Sequence, residues 1–151
     1  MKELIEKYRE KGFKLTPQRL AILNYLDGNT SHPSAEDIYK HIKRVYPTVS
    51  FATVYNTLQV LHEKGEVMEI TIDPQKKHYD PNTRAHHHII CTECNKIVDI
   101  FEDYSEALRL PQHIVSSFKP TGNHIDFYGI CKECQNLSRN VSKREKQKRR
   151  D

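Results

Sequence analysis

From residue 1 to residue 64 the apolar positions recur every three or four residues, the period of helices with one buried face. Leu4, Ile5 and Tyr8 give a first short stripe, ended by Gly12. Thr16-Pro17 reads as an N-cap followed by proline at the first helical position, and Leu20, Ile22, Leu23 and Leu26 supply a buried face that runs to Gly28. Ser34-Ala35-Glu36-Asp37 has the form of a capping box and precedes Ile38, Ile42 and Val45, with Pro47 stopping the run. Ser50 caps a further helix on which Phe51, Val54, Leu58 and Leu61 share a face, closed by Gly65.

Beyond Gly65 the period falls to two. Val67, Glu69 and Thr71, then Lys77 to Tyr79, predict two strands around an Asp73-Pro74 turn, and three helices followed by a strand pair outline a winged helix-turn-helix. From about Thr83 onward Ile89-Ile90, Ile97 to Phe101 and Ile125 to Ile130 lean to strand, with a helix predicted over Ser105 to Leu110. The expected class is α+β: a winged helix over residues 1–80, a hinge at 81–84, a small α/β domain over 85–137, and a basic, disordered tail over 138–151.

A chain of 151 residues suits one domain or two small ones and is too short for a barrel enzyme. The net charge of +4 is concentrated: residues 139–151 carry seven basic and two acidic side chains, so residues 1–138 sum to −1. Overall basicity is therefore no argument for nucleic-acid binding by the body of the protein. No stretch approaches the roughly 18 apolar residues of a membrane span, and Met1-Lys2-Glu3-Leu4 is too charged to open a signal peptide, so a cytoplasmic protein is expected.

The only cysteines are Cys91-x-x-Cys94 and Cys131-x-x-Cys134, separated by 36 residues. Two such bites complete a tetrahedral thiolate shell with no open position, the pattern of structural Zn2+. Disulfides and a thiol redox pair are the alternatives; the first suits a cytosolic chain badly and the second needs one lone pair at a helix N-terminus. Just upstream stands His86-His87-His88. On a strand His86 and His88 share a face and His87 takes the other. Asp80 lies six residues before His86, and Asp99 sits in the apolar run Ile97-Val98-Asp99-Ile100, where a carboxylate needs a partner. Nitrogen and oxygen donors without thiolate form a harder set, suited to Fe2+ or Mn2+.

His86-x-His88-x-x-Cys91-x-x-Cys94, Asp99, Cys131-x-x-Cys134 and Ala52-Thr53-Val54-Tyr55-Asn56-Thr57-Leu58 together resemble the ferric uptake regulator family, from about Lys2 to Gln135. The resemblance implies a winged helix for DNA, a hinge and an α/β dimerisation domain. His32-Pro33-Ser34-Ala35-Glu36-Asp37-Ile38-Tyr39 and His78-Tyr79-Asp80 look most like the peroxide-sensing branch, which implies a regulatory metal held by His32, Asp80, His86, His88 and Asp99. Asp stands at both carboxylate positions, where iron-sensing relatives more often carry Glu. A further metal site of those relatives is poorly matched, with Ala85 and His87 in place of a His and an Asp, and Asn95 replaces the usual Gly after the first cysteine pair.

The recognition helix is then Ser50 to Lys64, with Ser50, Ala52, Thr53, Tyr55, Asn56 and Gln59 as DNA-contacting candidates and Lys14, Thr16, Gln18 and Arg19 as phosphate contacts. Asn and Gln pair with adenine and an alanine methyl meets thymine, so a palindromic, A·T-rich double-stranded operator gripped by a homodimer is expected. The resemblance also implies a metal-dependent repressor, not an enzyme, that senses hydrogen peroxide by iron-catalysed oxidation of His32 or His86. The nearest alternative is a repressor sensing iron, zinc or manganese supply. A zinc hydrolase built on His86, His88 and Asp99 lacks any His-Glu-x-x-His motif, and a thiol oxidoreductase would need a reactive cysteine in the metal-loaded chain.

Overall fold

Side-chain caps decide where the helices of the N-terminal part begin. In the computed structural model, which describes residues 2–73, 76–104 and 106–138, α1 spans Lys2–Glu10, α2 Pro17–Leu26, α3 Ala35–Val45 and α4 Phe51–Glu63. Thr16 Oγ1 accepts from the Arg19 N–H, Ser34 and Asp37 cap each other reciprocally, and Ser50 Oγ accepts from the Thr53 N–H at 3.1 Å. Each bond satisfies an N–H that the first helical turn leaves without a partner. Gly65 ends α4 in the left-handed region (φ +67°), and the Glu66 N–H returns to the Leu61 carbonyl at 2.8 Å, a Schellman closure.

The strand pair follows at once. β1 (Met68–Asp73) and β2 (Lys76–Asp80) run antiparallel, with Met68 opposite Asp80 and Ile70 opposite His78. Pro74, in the expected turn, lies outside the described residues. Ile22, Leu23, Leu26, Ile38, Ile42, Val54, Leu58, Leu61 and Tyr79 fill the core of this winged helix-turn-helix. Three expected core positions differ, the first being Leu20, which is only half-buried and lines an open groove. Val45 is 65% exposed, because it is the last residue of α3 and only edges an open groove with Ile5, Leu15 and Leu20. Phe51 is 40% exposed, edge-on to Tyr39, and its place in the stripe goes to Thr57, whose hydroxyl donates to the Thr53 carbonyl at 2.6 Å and so can be buried.

Residues Met1–Arg84 form one compact unit and Ala85–Asp151 a second. The second holds a three-stranded sheet of β3 (His87–Cys91), β4 (Ile97–Ile100) and β5 (Asp126–Gly129), ordered β4-β3-β5. β4 pairs antiparallel and β5 parallel to β3, giving the mixed α/β unit expected. The helix expected over Ser105 to Leu110 is not formed among its described residues 106–110. One helical turn, α5 (Gln112–Val115), starts instead after Pro111. Proline disfavours helical backbone in the residue before it and tolerates the first turn after it, so Pro111 moves the start downstream. A further helical stretch, 132–138, opens just after Cys131. The expected basic tail lies outside the described residues from 139 onward. No described helix is long and apolar enough to cross a membrane.

Candidate metal centres

Both cysteine pairs sit where a strand gives way to a turn or helix. Cys91 ends β3, and the chain reverses through Asn95, whose N–H returns to the Cys91 carbonyl at 2.9 Å with φ +59°. Asparagine is among the few side chains that tolerate that region, so it does the work of the usual Gly. Cys131 immediately precedes the helical stretch 132–138, and Cys134 lies in its first turn. Cys91 Sγ lies 3.9 Å from Cys134 Sγ, and Cys94 Sγ lies 3.8 Å from Cys131 Sγ. A tetrahedral zinc with Zn–S of about 2.3 Å has sulfur–sulfur edges of about 3.8 Å. The four thiols therefore fit structural Zn2+ at their present positions. Backbone N–H groups of Cys131 and Cys94 aimed at Cys91 bring its thiol down to about 6, while hydrogen bonding to Cys131 and Cys94 drives Cys134 up. A cluster that already favours one thiolate is primed for a cation.

The second unit also gathers a nitrogen and oxygen set. Register places His88 on β3 directly opposite Asp99 on β4, and His86 precedes the same strand on the same face. Asp99 Oδ1 lies 3.6 Å from His86 Nε2 and 3.7 Å from His88 Nε2, with both imidazoles fully buried. The His86 ring stacks on Phe101 and stands edge-on to His88. His87 takes the other face, where its Nδ1 accepts the Ile125 N–H at 3.2 Å and its ring meets Tyr104. Ala85 is exposed.

The first unit supplies a second buried histidine–carboxylate pair. His32 Nε2 lies 3.6 Å from Asp80 Oδ2, each side chain 1% exposed. Asp80 ends β2, and its other oxygen accepts the Asn82 N–H at 2.8 Å, which fixes the carboxylate. His32 adopts φ +49°, a conformation that costs a non-glycine residue about 1–3 kcal/mol and persists only where surroundings enforce it. The enforcement is local: His78 Nδ1 lies 2.7 Å from the His32 carbonyl, and the Tyr79 N–H donates to the Pro33 carbonyl at 3.0 Å.

On α4 the expected DNA-facing residues divide by exposure. Ala52, Tyr55, Asn56 and Gln59 are exposed and Thr53 is half-buried, while Val54, Thr57, Leu58 and Leu61 face the core. Ser50 and Thr53 share a hydroxyl contact at 2.9 Å as part of the cap, and Gln59 Nε2 donates to Glu63. Arg19 Nη1 donates to the Lys14 carbonyl at 3.1 Å, joining two of the phosphate-contact candidates.

Three residues near these sites were not anticipated. His78 clamps the His32 backbone, and His124, just before β5, lies beside His88 with Asp126, the first residue of β5. No local spacing marks the last two, because only the parallel β3–β5 register brings them to His88.

A winged helix joined in one chain to an α/β unit with a closed thiolate site defines the class of metal-responsive winged-helix regulators. The chain belongs to the ferric uptake regulator family, whose profile matches residues 10–128. It is 42% identical over 136 residues, 89% of this chain and 91% of the relative, to the peroxide-responsive repressor PerR of Staphylococcus aureus strain Mu50. Among solved structures it resembles the iron-containing ferric uptake regulator of Francisella tularensis, at TM-score 0.70 and 31% identity over 82% of this chain and 96% of that one. The peroxide stress regulator of Campylobacter jejuni aligns at TM-score 0.63 and 34% identity over 89% and 98%.

Proposed function

We propose that this chain is a homodimeric, metal-dependent DNA-binding repressor that responds to hydrogen peroxide. The observation that carries the reading is the pair of His/Asp sets, His32 with Asp80 in the first unit and His86, His88 and the half-buried Asp99 in the second, all nitrogen and oxygen donors with Asp as the only acid. His32, Asp80, His86, His88 and Asp99 would together hold one Fe2+ or Mn2+ ion, and a ligand set drawn from the reading head and the second unit would couple metal binding to the angle between them. In a dimer that angle sets the spacing of the two α4 helices, and operator half-sites accept only spacings of about one helical turn or a multiple. Moving such an equilibrium from 1:99 to 99:1 takes about 5.5 kcal/mol of differential binding, a scale that gaining or losing one or two ligands reaches. The protein acts in the cytoplasm in this reading, with Ala52, Asn56 and Gln59 meeting base edges of an A·T-rich palindrome.

When ferrous iron is bound it supplies the reducing chemistry that opens a peroxide O–O bond. One peroxide oxygen ends on an imidazole carbon of His32 or His86 and the other leaves as water. The modified imidazole no longer serves as a ligand, the two units part company, and DNA is released. Support comes from the named functions of the S. aureus and C. jejuni relatives and from Asp, not Glu, at positions 80 and 99. The iron-containing F. tularensis relative favours the alternative, a sensor of metal supply. Anaerobic loading with iron or manganese, peroxide challenge and peptide mass spectrometry separates the two. Added oxygen on the peptide of His32 or His86, with iron only, is expected; unmodified histidines in the iron-loaded protein would leave the metal-supply reading.

A further inference from the structure

His88 lies on β3, the central strand of the second unit's sheet. The antiparallel register sets Asp99 opposite it on β4, and the parallel register sets Asp126 opposite it on β5. Its two ring nitrogens therefore face different groups: Nε2 lies 3.7 Å from Asp99 Oδ1, and Nδ1 lies 3.4 Å from His124 Nε2 and 3.6 Å from Asp126 Oδ1. Asp126 is held in turn by His124, whose Nε2 is 2.7 Å from the same Oδ1 and whose Nδ1 reaches the His86 carbonyl at 3.2 Å.

We propose that Asp126, braced by His124, is a positioning residue that accepts the Nδ1–H of His88 and so presents the Nε2 lone pair to the regulatory metal. The inference rests on the metal-dependent reading above. A neutral imidazole carries one N–H, so an acceptor fixed at Nδ1 selects the tautomer that leaves Nε2 free to ligate. The present 3.6 Å separation exceeds an ordinary 2.9 Å N–H···O bond by about 0.7 Å, so the proposed bond requires Asp126 to turn towards His88. Carboxylates placed behind ligating histidines in this way fix ring orientation and raise basicity.

His88, His124 and Asp126 lie close enough together to hold an ion, but as placed His124 and Asp126 are joined directly. A separation of 2.7 Å between His124 and Asp126 is hydrogen-bond length, shorter than the roughly 3 Å or more between two atoms sharing one ion. His88 would also have to surrender its last N–H to bridge two cations.

The test uses the full-length, zinc-loaded chain, with Mn2+ affinity read by electron paramagnetic resonance. Asp126→Ala should weaken Mn2+ binding by about 10- to 100-fold. Asp126→Asn, which keeps an acceptor oxygen and the shape, should lose less, with zinc content and melting temperature unchanged. Imidazole nitrogen NMR shifts of the zinc-loaded chain before Mn2+ is added should show His88 protonated at Nδ1 in the wild type. His88→Ala is the reference. If it binds Mn2+ as the wild type does, the regulatory-site reading itself fails. If it loses Mn2+ while Asp126→Ala keeps wild-type affinity, the positioning role is overturned. A His88 protonated at Nε2 overturns it as well, and so does an extra bound Mn2+ that disappears in Asp126→Ala.

Discussion

Stripping zinc from the four cysteines should unfold the second unit and leave the first intact. Among the described residues the second unit buries only Ile90, Cys91 and Ile97 of its hydrophobics, whereas the first buries a core running from Tyr8 to Tyr79. Burying Ile90 and Ile97 is worth about 1.5–3 kcal/mol each, or about 3–6 kcal/mol together. Three strands of four or five residues offer few further contacts. Structural zinc in a four-ligand site supplies about 10–16 kcal/mol at neutral pH, so the ion outweighs the packing by at least about 4 kcal/mol. Hydrogen exchange read by mass spectrometry, before and after chelation under reducing conditions, resolves the two units. Loss of protection across β3, β4 and β5, with α2, α3 and α4 protected as before, is the expected result. A zinc-free chain whose sheet exchanges as slowly as the loaded one would refute the reasoning.

Two further outcomes are expected. Burial raises the Glu66 carboxyl, but hydrogen bonds from Lys11 and Lys7 outweigh it and hold the group below its ordinary 4.5, so its contribution is present above that value and lost as pH falls through the folded value. Glu66→Gln should cost about 1–2 kcal/mol at pH 7, discounted because both lysines are half exposed, and the gap from the wild type in urea titrations should shrink below pH 4.5; a gap independent of pH would count against the pairing. Asn56→Ala should relax discrimination at one base pair by about 1–3 kcal/mol in competition binding with duplex variants, whereas equal weakening on every sequence would mean that Asn56 reads no base.

What the sequence made legible was what short-range chemistry determines. Thr16, Ser34 and Ser50 cap the helices that follow them because the bonded partner lies within three residues, and each cysteine pair announces itself by its own spacing. Position within a helix was less legible: Val45 and Phe51 have the right period but sit at helix ends, where the core stops, and buried Thr57 was hidden by its polarity. The helix placed over Ser105 to Leu110 neglected the effect of Pro111 on the residues before it. At the candidate metal sets, His86 with His88 and Asp99 could be read because β3 and β4 are close neighbours in the chain. His124 and Asp126 could not, since a parallel strand returns from far along the chain and leaves no periodic trace. The His78 clamp on His32 was hidden for the same reason, being a contact across 46 residues.

The central claim is that a single exchangeable ion, held by residues of both units, gates the grip on DNA. Anaerobic fluorescence-anisotropy titration of a duplex selected by the manganese-loaded protein tests it directly, run with Fe2+ and with Mn2+, before and after peroxide, on the wild type and on His32→Ala. Tight binding with either ion, abolished by peroxide only in the iron-loaded wild type, and weak binding by His32→Ala throughout is the expected pattern. Equally tight, metal-dependent binding by His32→Ala would contradict the account.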